Sequence, residues 1–368
     1  MVVGAGAAGL MAAIHAAEAL KGASPRSAVV VFDARAKIGA KILISGGTRC
    51  NVTNLEVTPS DYNGGPSHFT RHILEAFTPA ETIRFFELIG VALVLEPTGK
   101  YFPTTHSGRT VLDALTSALK NTGALLETGV RVSRVTKHGE GFELILDTAE
   151  GKRPVFTVRR VILATGGLSY PETGSDGTGL KIAESLGHRV VKTAPALTPL
   201  VTEDREWPTL SGMTVETELS FYADGKKRAS TRGSMLFTHA GFSGPAALDL
   251  SRHWTCSESR DKKVEAHFFE VPKRLAQLLH KKGLNSKRPL HCDLNVTGVL
   301  GYKKAEVTAG GVDLKEVTVG TMQSKLVPGL YFAGEILNTD GRIGGFNFQW
   351  AWSTGALAGR AAAKSLAT

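Results

Sequence analysis

Val2-Val3-Gly4-Ala5-Gly6-Ala7-Ala8-Gly9-Leu10 is a short apolar run followed by G-x-G-x-x-G, and its reading decides the fold. The run reads as the end of a first β-strand. Gly4 allows a tight turn, Gly6 lets the backbone approach a pyrophosphate, and Gly9 lets the next helix pack close to the strand. Leu10 to Leu20 is Ala-rich and helical, so its N-terminal N–H groups and positive dipole end face the phosphates. Taken alone, the pattern also fits a plain strand-to-helix turn. The next segment separates the two readings. Val29-Val30-Val31-Phe32-Asp33 is a second apolar strand ending in an acid. It stands about 20 residues on, where a ribose-binding carboxylate is expected. The pair predicts a Rossmann-like α/β domain with a dinucleotide site. Gly4, Gly6, Ala7, Ala8 and Gly9, with Asp33, Ala34 and Arg35, form its first half.

Arg35 and Lys37 after the acid would suit a 2′-phosphate and so NADP, but the rest of the chain points to FAD. Lys41 to Asn54 is a polar, glycine-containing run that nicotinamide dehydrogenases do not need. In FAD proteins of the glutathione-reductase type this region passes along the ribityl chain and flavin ring, which brings in Lys41, Ser45, Gly46, Gly47, Arg49, Cys50 and Asn51. Leu330-Tyr331-Phe332-Ala333-Gly334-Glu335 is a late apolar strand ending in Gly-acid, and Gly344-Gly345-Phe346-Asn347-Phe348-Gln349 opens a helix to about Ala363. This pairing sets Glu335 near ribityl hydroxyls and a helix N-terminus near the flavin N1/C2=O edge, where its dipole would stabilise the anionic reduced ring. Gly334, Gly344, Gly345 and Asn347 join the set, with Gln349 as a further candidate for flavin edge atoms. Val161 to Gly167 is a buried strand ending in Ala164-Thr165-Gly166, a turn often seen beside FAD. Val132, on the alternating strand 130–135, completes the set.

These motifs resemble the BaiN/YhiN-type family of FAD-dependent oxidoreductases, also called the aminoacetone oxidase family. The most specific match is Ser45-Gly46-Gly47-Thr48-Arg49-Cys50-Asn51-Val52-Thr53-Asn54. Gly167 to Pro171, Leu236 to Pro245, Val307 to Val312 and Gly334 to Gly355 support it. The resemblance covers nearly the full length and implies a flavoprotein fold with bound FAD. It does not imply a substrate, because the family is functionally mixed. One departure lies at Phe268 to Leu275, where a strand-like run meets Val271-Pro272 without the family's usual extra helical stretch.

A chain of 368 residues is long enough for two domains. No apolar run reaches the roughly 18 residues that span a bilayer, and no signal-peptide pattern precedes the glycine motif. No membrane association and a cytoplasmic location are therefore expected. The three cysteines, Cys50, Cys256 and Cys292, form no Cys-x-x-Cys and no disulfide or zinc framework. Flavin disulfide reductases carry a second cysteine close to the first. Here Asn54 stands near that position, so Cys50 reads as a small buried residue or as a tuning group near the flavin.

Residues 1–195 and 303–368 read as a discontinuous FAD-binding domain and 196–302 as an inserted β-rich, barrel-like cap over the active-site cleft. Within the first part, Thr78-Pro79 starts a helix, 108–120 is an amphipathic helix, and 142–146 with 155–158 forms a hairpin. Ala194 to Leu200 reads as a crossover linker, Asp224-Gly225 as a hairpin turn, and Ser243-Gly244-Pro245 as a helix start. No second G-x-G-x-x-G follows the hairpin, so hydride is expected from the substrate itself or from NAD(P)H as a transient reductant without a dedicated fold. The net charge is +9, and Ser251 to Lys304 holds twelve cations against five anions. Such a segment attracts RNA or anionic substrates, or is a solvated face.

The expected function is an FAD-dependent oxidoreductase that moves hydride between flavin N5 and a substrate carbon. A small molecule and RNA are both open as substrates. The alternatives are a flavoenzyme that reduces uridine in ribosomal RNA, an amine or aminoketone oxidase, and a non-catalytic flavin-stabilised binding module. His239, in Thr238-His239-Ala240-Gly241 between a strand and a helix, is the acid/base candidate, against a hydrogen-bonded structural role. Tyr170, just after the Ala-Thr-Gly turn, is the second candidate, against simple packing. Arg49 serves either an anionic group or a structural ion pair. No metal site is expected.

Overall fold

The computed structural model describes residues 1–23, 27–148, 150–151, 153–284 and 290–366. The chain divides into two compact units, Met1–Thr193 with Gly310–Thr368, and Ala194–Ala309.

The first unit is built on a five-stranded parallel sheet. Its strand order is Leu330–Phe332, Val161–Leu163, Val2–Val3, Val30–Asp33 and Leu125–Thr128. Parallel partners include Val2 with Val31 and with Ile162, Val161 with Leu330, and Val30 with Leu125. Val161–Leu163 and Leu330–Phe332 are buried at every residue. That is why they read as unbroken apolar runs: a parallel sheet is covered on both faces. The Ala7–Ala23 helix follows the first strand and the Phe346–Lys364 helix lies against it. Small residues permit this approach. A Cβ on Gly355 would lie 2.6 Å from the Ala8 carbonyl oxygen, and one on Gly359 would lie 2.2 Å from that of Ala12. The last helix is buried around most of its circumference, Trp350, Trp352 and Ala356 included, as expected for a helix in the middle of a core. A three-stranded antiparallel sheet, Val130–His138, Gly141–Thr148 and Val155–Val158, contains the expected hairpin. Thr78 caps the Pro79–Leu88 helix in a box with Glu81.

The second unit is a seven-stranded antiparallel sheet with its own core. The order is Leu290–Asp293, Lys262–Phe268, Thr214–Ala223, Lys226–Thr238, Gly241–Ser243, Leu200–Thr202 and Val296–Val299. Val215, Thr217, Leu219, Phe221 and Ala223 are buried at every second position, the pattern of a strand with one face toward a core, and Ser220 alone is buried on the other face. They pack with Trp207, Phe237, Phe242 and Phe268. The Asp224-Gly225 turn has φ +52° and +70°, the double positive φ that suits a tight hairpin. Pro245 stands in the first turn of the Gly244–Cys256 helix.

The inserted unit is β-rich and barrel-like, as expected: the two end strands of the order, Leu290–Asp293 and Val296–Val299, are separated in the chain only by Leu294 and Asn295, so residues 290–299 pair along both edges of the sheet. One expectation needs correction. Residues 194–196, read as part of a linker, end the Val190–Ala196 strand, which pairs with Val307–Val312. Pro195 makes that strand end look like a linker in the sequence. Among the described residues, no helix is long and apolar enough to cross a membrane.

Candidate functional site

The glycine turn of the first unit divides its three glycines by task. Gly4 has φ +101°, and a Cβ there would sit 2.5 Å from the Ala164 carbonyl oxygen. A Cβ on Gly9 would sit 1.8 Å from the Gly4 carbonyl oxygen, whereas one on Gly6 would meet nothing within 4 Å. Two glycines thus serve internal packing, and the middle one borders open space. Asp33 is tied to this turn: its Oδ2 accepts from the Ala5 amide at 2.7 Å and its Oδ1 from the Arg35 amide at 2.8 Å. Each oxygen keeps acceptor capacity. Ala7 and Ala34 are half-buried, Ala8 is buried and Arg35 is exposed. No acidic side chain stands in the first turn of the Ala7–Ala23 helix, so its positive end is not neutralised locally. Val132 faces the hydrophobic core.

The segment after the Ala40–Ile44 helix is an unusual loop. Gly46, Gly47, Thr48 and Cys50 all have positive φ, which costs about 1–2 kcal/mol at each non-glycine position. Ser45 Oγ donates to the Ile42 carbonyl at 3.1 Å. Arg49 pairs with Glu96 at 2.6 Å and lies 3.9 Å over the Phe102 ring, which favours its structural reading. Cys50 is fully buried, and burial pushes its thiol up to about 12. It is therefore a packed thiol with no thiolate chemistry near neutral pH. The buried Asn51 Oδ1 has no hydrogen-bond partner, and neither does the buried Thr165 Oγ1. Ala164 is buried, and Gly166 has φ +74° with Ser175 Oγ 2.8 Å from where its Cβ would stand.

Lys41 and Glu335, both expected at the cofactor, meet directly. Lys41 Nζ donates to Glu335 Oε2 at 2.7 Å and to Ser169 Oγ at 2.7 Å, and Ser169 Oγ donates to Glu335 Oε1 at 2.6 Å. In the sequence Ser169 stands only within the Gly167 to Pro171 motif; nothing local marks it as the third member. Gly334 (φ +77°) donates its amide to Thr354 Oγ1 at 2.9 Å. Gly344 and Gly345 have φ +133° and +93°, and no acid stands in the first turn of the helix they open.

Asn347 bonds Gly341 with both ends of its amide, accepting from its N–H at 2.8 Å and donating to its carbonyl at 2.9 Å, and each end can make a second bond. Two expectations change here. Gln349 is fully buried. Its Oε1 accepts from Thr53 and Thr82, and its Nε2 donates to the Phe77 carbonyl and Ser353. It holds the core together and is saturated, so it leaves the cofactor set. His239 does not lie between a strand and a helix: it is exposed in the tight turn between Lys226–Thr238 and Gly241–Ser243. Tyr170 is half-buried with φ +46° and leads into the Pro171–Thr173 turn.

One arrangement imitates a nucleophilic triad. His188 Nε2 lies 2.9 Å from Ser324 Oγ, and its Nδ1 lies 3.1 Å from Glu316. Yet Ser324 Oγ also accepts from the Leu326 and Val327 amides at 3.0 and 2.7 Å and is buried. Its lone pairs are taken, so it is a structural pin and not a nucleophile. Among the described residues, no group of three His, Cys, Asp or Glu could hold a metal ion.

The basic segment is partly neutralised. Lys263 pairs with Glu265 and Asp293, Lys281 with Glu206, and Lys282 with Asp204 and Glu206. Arg274 donates to the Thr209 carbonyl and Lys262 to that of Trp254. Lys287 and Arg288 lie outside the described residues.

Comparison with known proteins adds to this geometry. Residues 1–361 match the family described as HI0933-like protein Rossmann domain. The 3-dehydro-bile acid delta(4,6)-reductase of Clostridium scindens is 32% identical over 413 aligned positions, covering 99% of this chain and 98% of that protein. The ribosomal RNA dihydrouridine synthase of Escherichia coli is 33% identical, covering 96% of this chain and 95% of that one. Among solved structures, the 3-ketosteroid-delta4-(5alpha)-dehydrogenase of Rhodococcus jostii RHA1 has a TM-score of 0.57 at 16% identity, covering 100% of this chain and 96% of that one. At that identity the likeness concerns the fold.

Proposed function

The chain belongs to the HI0933-like family, and from that premise we propose that it is an FAD-dependent oxidoreductase reducing a carbon–carbon double bond conjugated to a carbonyl. The open space at Gly6 beside the pinned Asp33 carries the FAD reading. Only the middle glycine of the turn has room for a pyrophosphate oxygen, and the neighbouring acid keeps lone pairs for a ribose hydroxyl. The orphaned polar atoms of Asn51 and Thr165 also suit a polar cofactor, since buried polar atoms without partners are costly.

When bound, FAD supplies the hydride, taken from a donor of the NAD(P)H class and delivered to the substrate carbon β to the carbonyl, with a proton added at the α carbon. The protein's share is binding and placement. The Ala7–Ala23 helix presents its positive end to the pyrophosphate, and Asp33 accepts from the adenosine ribose. Lys41 and Glu335 present a fixed charge pair to the ribityl chain. The acid-free start of the Phe346–Lys364 helix favours negative charge on the ring. Tyr170 and His239 are the candidate proton donors, and strain at Tyr170 favours it.

The substrate class rests on the two relatives. A 3-dehydro-bile acid delta(4,6)-reductase and a dihydrouridine synthase are named for one chemistry, saturation of a double bond that a carbonyl activates. The ion pairs of Lys263, Lys281 and Lys282 favour the small-molecule form over RNA, because paired lysines release few counterions. Anaerobic titration of the purified protein with NADPH and NADH, read by flavin absorbance, tests this. Bleaching that a steroid 4-en-3-one then reverses is the expected result. Reversal by ribosomal RNA instead would move the substrate to RNA. Rapid oxygen consumption with an amine would favour an oxidase. A colourless protein that binds no added FAD would overturn the reading.

A further inference from the structure

We propose that Ser169 is a positioning residue, whose hydroxyl locks Lys41 and Glu335 into a single arrangement and thereby sets how tightly the cofactor is held. The inference rests on the FAD reading and concerns a residue which that reading does not need. Lys41 lies in the Ala40–Ile44 helix after the Val30–Asp33 strand, Ser169 follows Val161–Leu163, and Glu335 follows Leu330–Phe332. All three therefore stand beyond the carboxyl ends of strands in one parallel sheet, where open α/β sheets bind their ligands.

A lysine–glutamate pair that retains 26% and 18% of its side-chain exposure is usually weak, because two long side chains must be held in one geometry against solvent. Ser169 changes that. Its side chain is fully buried, and its Oγ bridges the pair at 2.7 and 2.6 Å. A hydroxyl has one proton to give. Since that proton goes to Glu335 Oε1, Lys41 must be the donor to Ser169. With the lysine as ammonium and the glutamate as carboxylate, every bond of the closed ring has its donor and its acceptor. Each Glu335 oxygen takes one bond within the ring, which fixes the carboxylate beside the place where the ribityl chain is expected.

The test is FAD titration into the deflavinated protein, followed by quenching of flavin fluorescence, for wild type, Ser169→Ala, Ser169→Thr, Glu335→Gln and the Ser169→Ala/Glu335→Gln pair. Ser169→Ala should weaken FAD about ten-fold, since hydrogen bonds to charged groups are at stake. Ser169→Thr should restore most of the affinity, because it keeps the hydroxyl. In the Glu335→Gln background, Ser169→Ala should cost much less, because the charge pair that its hydroxyl holds in place is already gone. Unaltered FAD affinity in Ser169→Ala, or losses that simply multiply in the double variant, would overturn the proposal. A wild-type protein that takes up no FAD would instead overturn the FAD reading itself. Thermal melting of the deflavinated proteins reports the fold; if Ser169→Ala does not fold, Ser169→Thr carries the test, and a ten-fold loss there overturns the proposal.

Discussion

Tyr170 holds φ +46°, a conformation that costs a bulky residue about 1–2 kcal/mol. Strain of this kind collects where a side chain must be presented in a fixed direction. If the phenol delivers the proton to substrate, Tyr170→Phe should lower kcat at least ten-fold while leaving the melting temperature within a degree or two. Steady-state kinetics with the enone acceptor would decide it, and an unchanged kcat would remove Tyr170 from the chemistry. The cysteines make a separate prediction. Burial pushes the Cys50 and Cys292 thiols up to about 12, while Cys256 is exposed. Iodoacetamide at pH 8 should therefore modify Cys256 alone in the native protein, with peptide mass spectrometry as the readout; early labelling of Cys50 would contradict its packing. At this scale, legibility followed sequence distance. The turn of Gly4 and Gly9 was readable because neighbours in one strand-turn-helix set it. Ser169 was not, because its partners lie 128 and 166 residues away. Gln349 misled for the same reason: a polar residue at a helix start resembles a ligand until the four buried groups that saturate it are seen.

The pairing of the first and last helices sets where the two helix N-termini of the cofactor reading stand. It is held by glycines, and Gly359 is the tightest point, with the Ala12 carbonyl oxygen 2.2 Å from where an alanine methyl would stand. Gly359→Ala gains helix propensity, worth about 1 kcal/mol, but it forces the two backbones apart. Overpacking of this kind costs about 1–3 kcal/mol, so the substitution should be neutral to destabilising by about 2 kcal/mol and should weaken FAD binding. Chemical denaturation with and without FAD would measure both; a variant more stable than wild type would mean that the helices separate without cost. Thr78→Ala is the simpler case. It removes a cap and box and should cost about 1 kcal/mol with no effect on the flavin spectrum. Elements announced by local chemistry, such as the Thr78-Pro79 start and the Asp224-Gly225 turn, were legible. So was the family, read from Ser45–Asn54 and borne out by the match over residues 1–361. The β-rich, barrel-like unit was legible as well, from alternation such as that of 214–221. His239 was displaced because Gly241–Ser243 is a strand of three residues, too short to show a period.

Each unit has a hydrophobic core of its own, and acid and cofactor should act on the two units differently. Burial lowers the pKa of His188 in the first unit, although Glu316 partly opposes the shift. Burial, aided by Arg252, lowers that of His253 in the second. Both imidazoles are thus more easily protonated in the unfolded chain, whose pKa is about 6.5. Between that value and the lower folded one, the unfolded state binds more protons, so stability rises with pH. The contribution is complete above about pH 6.5 and is lost as pH falls below it. Taking the pH from about 7.5 down towards about 5.5, across that window, should therefore lower the melting of both units. On the proposed reading FAD binds the first unit, and a ligand of the folded state stabilises by RT ln(1 + [L]/Kd), about 2.7 kcal/mol at a hundred-fold excess over Kd. Scanning calorimetry of the deflavinated protein should resolve two transitions. Added FAD should raise one and leave the other in place, while acid should shift both. If FAD raised the two together, the units would melt as one cooperative body. If acid left the FAD-sensitive transition unmoved, the His188–Glu316–Ser324 pin would not be a site where protonation opposes folding.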